Sequence, residues 1–367
     1  MILAKDLFLF LKKKISFYTG VPDSVLKNLI DCFDNNKKIK HIISPNEGSA
    51  IALAIGNFLS TKKIPCVYMQ NSGLGNAINP LISIAHKKVY SIPLFLLIGW
   101  RGSPKKNDEP QHLAKGKITP DLLKLLNIKF CILKGNKDFK KINKLIKYAY
   151  SSKSPVACLI EKDNIELKKI KKKNNNNFLR KDFIFELLKN IPNNSRIIST
   201  TGYTSRELHQ IRKQYKITKG KDFYMVGGMG HSAMVALGYS LYSNKQIICL
   251  DGDGSILMHL GSLRTLGFFG KKNIKHILLN NNSHESVGGQ LTNADTINFK
   301  NLTKSLNYKK FFIIKNKKEL NKKMKDFIRS SGPSFLEIKI KNKSMSNLMR
   351  PKSGSLKKIV KNFMIKA

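Results

Sequence analysis

Nowhere in the chain do about eighteen apolar residues run together, the length a helix needs to cross a bilayer. No membrane span is therefore expected. Cysteine is scarce. The five present (Cys32, Cys66, Cys131, Cys158, Cys249) are odd in number and lack CxxC spacing, which argues against a disulfide framework or a zinc ribbon. They read as buried thiols in a reducing, cytoplasmic compartment. Acidic residues are also few, 23 against 67 Lys and Arg, giving a net charge of +44. Such an excess raises nucleic acid as a partner. The lysines, however, are scattered through helical segments such as 137–147 and 315–325 instead of forming one stripe. The Asn- and Ile-rich background points to a general compositional bias, so the expectation is a solvated basic surface with no specific nucleic-acid partner. Near the start, Asp6 interrupts the apolar patch of residues 1–14 and no small-residue cleavage site follows, so this segment reads as a first helix.

Enough apolar material is present, 41% of 367 residues, for two cores. Strand-like runs recur at 17–19, 41–44, 66–70, 92–98, 130–133 and 156–160, and again at 197–200, 223–226, 247–250, 274–279, 311–314 and 334–340. Helical periodicity fills the gaps. Alternation of this kind predicts an α/β protein with two doubly wound parallel-sheet domains. A Lys- and Asn-rich segment with little apolar periodicity separates the halves. The expected division is residues 1–163, a linker at 164–180, and residues 181–367. No close sequence repeat relates the halves.

The most telling stretch is CLDGDGSILMHLGSLRTLGFFGKKNIKHILLNNNSHESVGGQ, residues 249–290. One apolar strand empties into Asp251-Gly252-Asp253-Gly254-Ser255, and the next ends on Asn280-Asn281-Asn282. If the two strands are parallel neighbours joined by a right-handed crossover, Asp253 and Asn281 face one another across one crevice. A carboxylate and an amide oxygen, beside glycines that admit a ligand to the backbone, suit a hard cation carrying phosphates. In the first half, Glu47 follows a strand end and opens a helix. It is either a first-turn carboxylate favoured by the helix dipole or an acid that exchanges a proton with a cofactor ring nitrogen. Asp23 has a similar position and the alternative role of an N-cap. Further strand ends at Met69-Gln70-Asn71 and Trp100-Arg101-Gly102 place four polar loops on one rim.

The motifs SPNEGSAIALAIG, YMQNSGLGNAINPL, LLIGWRG, DEPQH, STTGYTSREL, GGMGHS, GDGS and LNNNSHESVGGQ together resemble the thiamine-diphosphate-dependent decarboxylases. The GDG…NN pair marks that superfamily. NSGLGN, GWRG, DEPQH and HESVGGQ are similar to the narrower group acting on phosphonopyruvate and sulfopyruvate. The resemblance implies a pyrimidine-binding domain followed by a diphosphate-binding domain, with no middle domain, and thiamine diphosphate and Mg²⁺ as cofactors. Decarboxylation of 3-phosphonopyruvate is the implied activity, with sulfopyruvate as the alternative. The resemblance also implies a homodimer or higher homo-oligomer with active sites at the interface.

Roles follow from the resemblance residue by residue. Asp253, Asn281 and the Ser283 carbonyl are implied metal ligands. Gly252, Gly254, Ser255 and Asn280 are implied holders of the diphosphate. Met229 corresponds to the apolar wedge under the bent cofactor, with core packing as its ordinary alternative, and the Gly227 carbonyl accepts from the cofactor's amino group. Glu47 corresponds to the activating acid, while Asp23 and His112 are candidates for proton transfer to product. Arg101, Lys105, His112, His284 and Gln290 are candidates for reading the substrate's second anion, though Arg101 could equally pair with Asp108 or Glu109. Two departures stand out. Asn282 occupies a place where glycine is common, and Asn347-Leu348-Met349-Arg350-Pro351 matches the family's terminal motif only in part.

Overall fold

The structure, a computed structural model, describes residues 1–104, 106–166, 178–349 and 353–364. Lys105, most of the expected linker, and Arg350 and Pro351 of the terminal motif lie outside the described residues. The chain divides into two compact units, Met1–Lys171 with Ser286–Gln290, and Lys172–Glu285 with Leu291–Ala367.

The first unit holds strands β1 (Phe17–Gly20), β2 (Lys40–Ile43), β3 (Cys66–Gln70), β4 (Phe95–Trp100), β5 (Lys129–Leu133) and β6 (Val156–Glu161). They form one sheet in the order β2-β1-β3-β4-β6-β5, every pairing parallel. The second unit holds β7 (Arg196–Ser199), β8 (Lys221–Tyr224), β9 (Ile247–Gly252), β10 (Ile274–Asn280), β11 (Lys310–Ile314) and β12 (Ser334–Lys339). Its order is β11-β12-β10-β9-β7-β8, again all parallel. Read from the opposite edge, this is the winding of the first sheet. Each unit is thus doubly wound, and the two repeat one topology without repeating a sequence.

Side-chain alternation explains why both sheets are covered on both faces. Along β4, Phe95 and Leu97 join one apolar cluster of the first unit, while Leu96, Ile98 and Trp100 join the other. Along β9, Ile248 and Leu250 face one cluster of the second unit, and Ile247 and Cys249 the other. Trp100 is buried, and its indole Nε1 donates to the Gly116 carbonyl at 2.8 Å. The expected strand at 92–98 begins later than its apolar pattern suggests, at Phe95. Pro93 has no N–H to give a parallel neighbour, so Ile92 and Leu94 are buried ahead of the ladder. Among the described residues, no helix is long and apolar enough to cross a membrane.

In each sheet the order reverses between the first strand and the third, β1 and β3 in one, β7 and β9 in the other. Ligands of doubly wound sheets bind outside the carboxyl ends of the strands at such a switch point.

Candidate functional site

In the second unit, β9 and β10 are parallel neighbours, with Leu278 opposite Asp251 and Leu279 opposite Gly252. Their carboxyl ends therefore open side by side. β9 ends at Gly252, and Asp253 starts a short helix, Asp253–Met258. Asp253 is 3% exposed. Its Oδ2 accepts from the Ser283 N–H at 2.9 Å and from Thr292 Oγ1 at 2.5 Å. Burial nevertheless raises the carboxyl above its ordinary value, against the lowering by Thr292 and the backbone donors.

Asn281, also buried, sends Oδ1 to the same Ser283 N–H at 3.2 Å. The carboxylate and the amide oxygen thus converge on one point. Asn280 is turned elsewhere, its Nδ2 donating to Glu337 Oε1 at 2.9 Å and its Oδ1 accepting the Asn282 N–H at 3.1 Å. Asn282 has φ of 53°, in the left-handed region that asparagine enters most readily after glycine. That accounts for its standing where a glycine is common. Ser283 Oγ is buried without a hydrogen-bond partner among the described residues.

Ser255 Oγ pairs with Thr200 Oγ1 at 2.9 Å and accepts the Gly230 N–H at 3.0 Å, bridging the switch point between β7 and β9. Around it, Gly228 and Gly230 have φ of 66° and 88°, which L side chains rarely adopt. A Cβ at Gly254 would lie 2.8 Å from His284 Cε1 and 3.2 Å from Met229 Cε. This glycine therefore lets the imidazole and the thioether close over the start of the helix. Met229 is half-buried and is not among the described residues packed into the unit's two apolar clusters. Burial pushes the His284 imidazole down to about 4, so near neutrality it offers a hydrogen bond and not a charge.

Asp251, the other acid of the motif, turns inward. Its Oδ2 accepts from Ser232 Oγ at 2.8 Å and lies 3.4 Å from His276 Nε2, while His276 Nδ1 meets Tyr308 Oη at 2.8 Å. Cys249, Asp251 and His276 are close enough to share an ion. Burial pushes the thiol far up, however, and this mixed soft set does not suit Mg²⁺. The oxygen donors of Asp253 and Asn281, with Ser283 beside them, do suit it.

In the first unit, Glu47 is the first residue of helix Glu47–Thr61, capped by Asn46, whose side chain accepts the Ser49 N–H at 2.8 Å. The carboxyl is 5% exposed, and Oε2 accepts from Asn76 Nδ2 at 2.8 Å. A Cβ at Gly73 would sit 2.2 Å from Glu47 Oε1, so a missing methyl leaves this acid its place.

Asp23 is fully buried after β1. Its Oδ2 accepts the N–H groups of Val25 and Leu26 at 3.0 and 3.2 Å, as a cap does, while Oδ1 accepts from Gln70 Nε2 at 2.8 Å. Burial raises its pKa, outweighing Gln70, Arg101 and the backbone donors. Arg101 is engaged bidentately by Asp108, with Nε to Oδ2 at 2.6 Å and Nη2 to Oδ1, and its Nη1 reaches Ser24 Oγ at 3.2 Å. His112 lies half-buried in the first turn of helix Pro110–Leu125. Gln290 is 2% exposed, and its Nε2 donates to Asp31 Oδ1 at 2.9 Å.

The structure thus brings together Asp253, Asn281, Ser283, Gly254, Met229 and His284 in one unit, and Asp23, Gln70, Arg101 and Asp108 in the other. Sequence reasoning missed Thr292 and Asn76 as partners of Asp253 and Glu47. Asn76 lay inside a conspicuous motif and could have been found there. Thr292 comes from a loop 39 positions beyond Asp253, where no pattern points to it.

Comparison with known proteins gives this geometry a class. Residues 1–122 match the family described as "Thiamine pyrophosphate enzyme, N-terminal TPP binding domain", and residues 200–338 match "Thiamine pyrophosphate enzyme, C-terminal TPP binding domain". The fold is that of a thiamine pyrophosphate enzyme. The phosphonopyruvate decarboxylase of Streptomyces viridochromogenes is 30% identical over 359 residues, covering 92% of this chain and 88% of that one. That of Streptomyces hygroscopicus is 30% identical over 357 residues, covering 92% and 87%. The sulfopyruvate decarboxylase of Methanosarcina acetivorans is 26% identical over 304 residues, 76% of each chain. The chain belongs to the phosphonopyruvate decarboxylase family.

Proposed function

We propose that the chain decarboxylates 3-phosphonopyruvate to phosphonoacetaldehyde and CO₂ in phosphonate biosynthesis, with thiamine diphosphate and Mg²⁺. The observation that carries this reading is a likeness to phosphonopyruvate decarboxylases over 92% of the chain, which takes in both thiamine-binding units. In this reading residues 1–163 take the cofactor's pyrimidine and residues 181–367 its diphosphate, with 164–180 as the linker.

Asp253, Asn281 and the Ser283 carbonyl would hold Mg²⁺. Gly252, Gly254, Ser255 and Asn280 would line the diphosphate, Ser255 through its hydroxyl and the others chiefly through the close backbone approach they allow. When bound, thiamine diphosphate supplies a nucleophilic carbon and a sink for the electrons released as CO₂ leaves. Met229 would pack against the cofactor, and the Gly227 carbonyl would accept from its amino group. Glu47, fixed by Asn76, holds a proton at a cofactor ring nitrogen and exchanges it. Asp23, whose burial favours the protonated form, is suited to return a proton to the product carbon, and His112 is the other candidate.

Arg101 supplies positive charge near Asp23, oriented by Asp108. His284 offers a neutral donor toward the phosphonate. Gln290, already bonded to Asp31, contributes by fixing the loop that carries it. We place the enzyme in the cytoplasm as a homodimer or larger homo-oligomer, with pyrimidine and diphosphate sides from different chains at each site.

Sulfopyruvate is the second reading, favoured by the 26% identical archaeal relative. The test is CO₂ release from phosphonopyruvate, sulfopyruvate and pyruvate with thiamine diphosphate and Mg²⁺ supplied. Preference for phosphonopyruvate is expected, together with near loss of turnover in Glu47→Gln while cofactor still binds. Equal rates on pyruvate would overturn the substrate reading, and an unaffected Glu47→Gln the role of that acid.

A further inference from the structure

A carboxamide is nearly symmetric in shape, with an oxygen on one side and an NH₂ on the other, and a hard cation accepts only the oxygen. Something must therefore decide which end of Asn281 faces Asp253. We infer that Glu285, held by Arg180, is the positioning residue that makes this choice, an inference that rests on the reading of Asp253 and Asn281 as magnesium ligands.

Two partners of opposite kind pin the amide. The Ser283 N–H, only a donor, meets Oδ1 at 3.2 Å, and the Glu285 carboxylate, only an acceptor when ionised, meets Nδ2 at 3.0 Å. Half a turn of the amide would set NH₂ against N–H and oxygen against carboxylate, losing both bonds at once. The oxygen is held on the side of Asp253 because the same Ser283 N–H lies 2.9 Å from Asp253 Oδ2.

Glu285 in turn has little freedom. Its Oε2, the atom that takes the Asn281 amide, also accepts from Arg180 Nη2 at 2.5 Å. Arg180 is 4% exposed and opens helix Arg180–Asn190. Its Nη1 lies 3.4 Å from Oε1 of fully buried Glu207, an oxygen that also takes the Met345 N–H at 2.9 Å. One buried guanidinium thus stands between two carboxylates. A pair serving only to join the helix to its neighbours would need no third member, yet here it ends on the ligand amide.

The test uses the full-length protein with thiamine diphosphate present and Mn²⁺ as the probe, free Mn²⁺ being read by electron paramagnetic resonance. A Gln oxygen in the place of Oε2 could still take both bonds, so the variant used is Glu285→Met, which keeps the length and removes the acceptor. It is expected to weaken Mn²⁺ binding about 10- to 100-fold, the usual effect of losing a group that orients a metal ligand. The change leaves buried Arg180 without one of its two carboxylates, so the metal-free variant should melt lower than wild type yet remain folded at the temperature of the titration. Combining Asn281→Asp with Glu285→Met gives residue 281 an oxygen at either end, so no orienting partner is needed and binding should largely recover. Arg180→Lys keeps the charge but loses the planar fork, and should weaken binding in the same direction.

Wild-type affinity in Glu285→Met or in Arg180→Lys would overturn the inference. So would a loss in Glu285→Met that the double variant does not restore, which would make the role structural. Absence of Mn²⁺ binding by the wild-type protein would instead overturn the ligand reading itself.

Discussion

Gly73 is the position where the smallest possible change should have the largest effect on turnover. A Cβ there would lie 2.2 Å from Glu47 Oε1, 2.4 Å from Cδ and 2.5 Å from Cγ. Because Cγ is included, the carboxyl cannot simply swing aside at its tip; the whole Glu47 side chain must leave its rotamer. The Asn76 bond is then lost, at about 1.5–3 kcal/mol for a hydrogen bond to a charged group. The added methyl strains its surroundings by a further 1–3 kcal/mol or so. If Glu47 is the proton-exchanging group, Gly73→Ala should lower kcat by about 10²- to 10⁴-fold. A hundredfold loss corresponds to roughly 2.7 kcal/mol of barrier. The assay is steady-state CO₂ release at saturating cofactor, with cofactor binding measured separately and expected to be retained. Removing the obstructed side chain should remove the strain, so Glu47→Ala with Gly73→Ala should be no less stable than Glu47→Ala alone. A Gly73→Ala enzyme with kcat near wild type would refute the reasoning.

Asp253→Asn should behave oppositely with and without ligand. Burial raises the Asp253 pKa, so the folded protein binds the proton more tightly than the unfolded chain, and ionisation above the unfolded value opposes folding. At neutral pH the metal-free variant should therefore melt higher than wild type, while its Mn²⁺ affinity falls at least about tenfold; calorimetry and metal titration check the two halves. Lys275 gives a second pH test. It is 1% exposed, donates to the Ser330 carbonyl and hydroxyl, and burial pushes its pKa down to about 8. Below that pH the folded protein bears the full cost of a buried cation, and the cost disappears as pH rises toward the unfolded value of about 10.4. Lys275→Met should thus gain roughly 1–3 kcal/mol at pH 7, shrinking above pH 8, as read from denaturant melts across pH.

The inner strands were the most legible because they are buried on both faces and so read as apolar runs, whereas the edge strands β2, β5, β8 and β11 are only half-buried. Pro93 misled at one edge, since hydrophobicity records burial and not the ladder. The shared winding of the two sheets left no trace in sequence, because any apolar strand satisfies a parallel neighbour and topology is set by crossovers. At the site, Asp253 and Asn281 were legible from the loops that follow neighbouring strands. Glu47 was legible only as an acid opening a helix, and the role proposed for it rests on resemblance. The groups that orient these residues (Thr292, Asn76, Glu285, Arg180) were not, because an orienting bond depends on loops and helix starts far apart in the chain. For Arg101 and Gln290 the sequence could not show how closely Asp108 and Asp31 would engage them.

Trp100 carries a consequence of another kind. It is the one tryptophan in the chain, it closes β4 in the first unit, and it is 4% exposed. Indole emission from this protein is therefore a private signal from one of its two sheets. Exposure of that ring to water on unfolding should shift the emission to the red, while far-ultraviolet circular dichroism averages over both units. Melting followed by the two signals side by side distinguishes a chain whose halves unfold together from one whose halves come apart in turn. No label need be introduced, because the sequence already carries a single one in a known place.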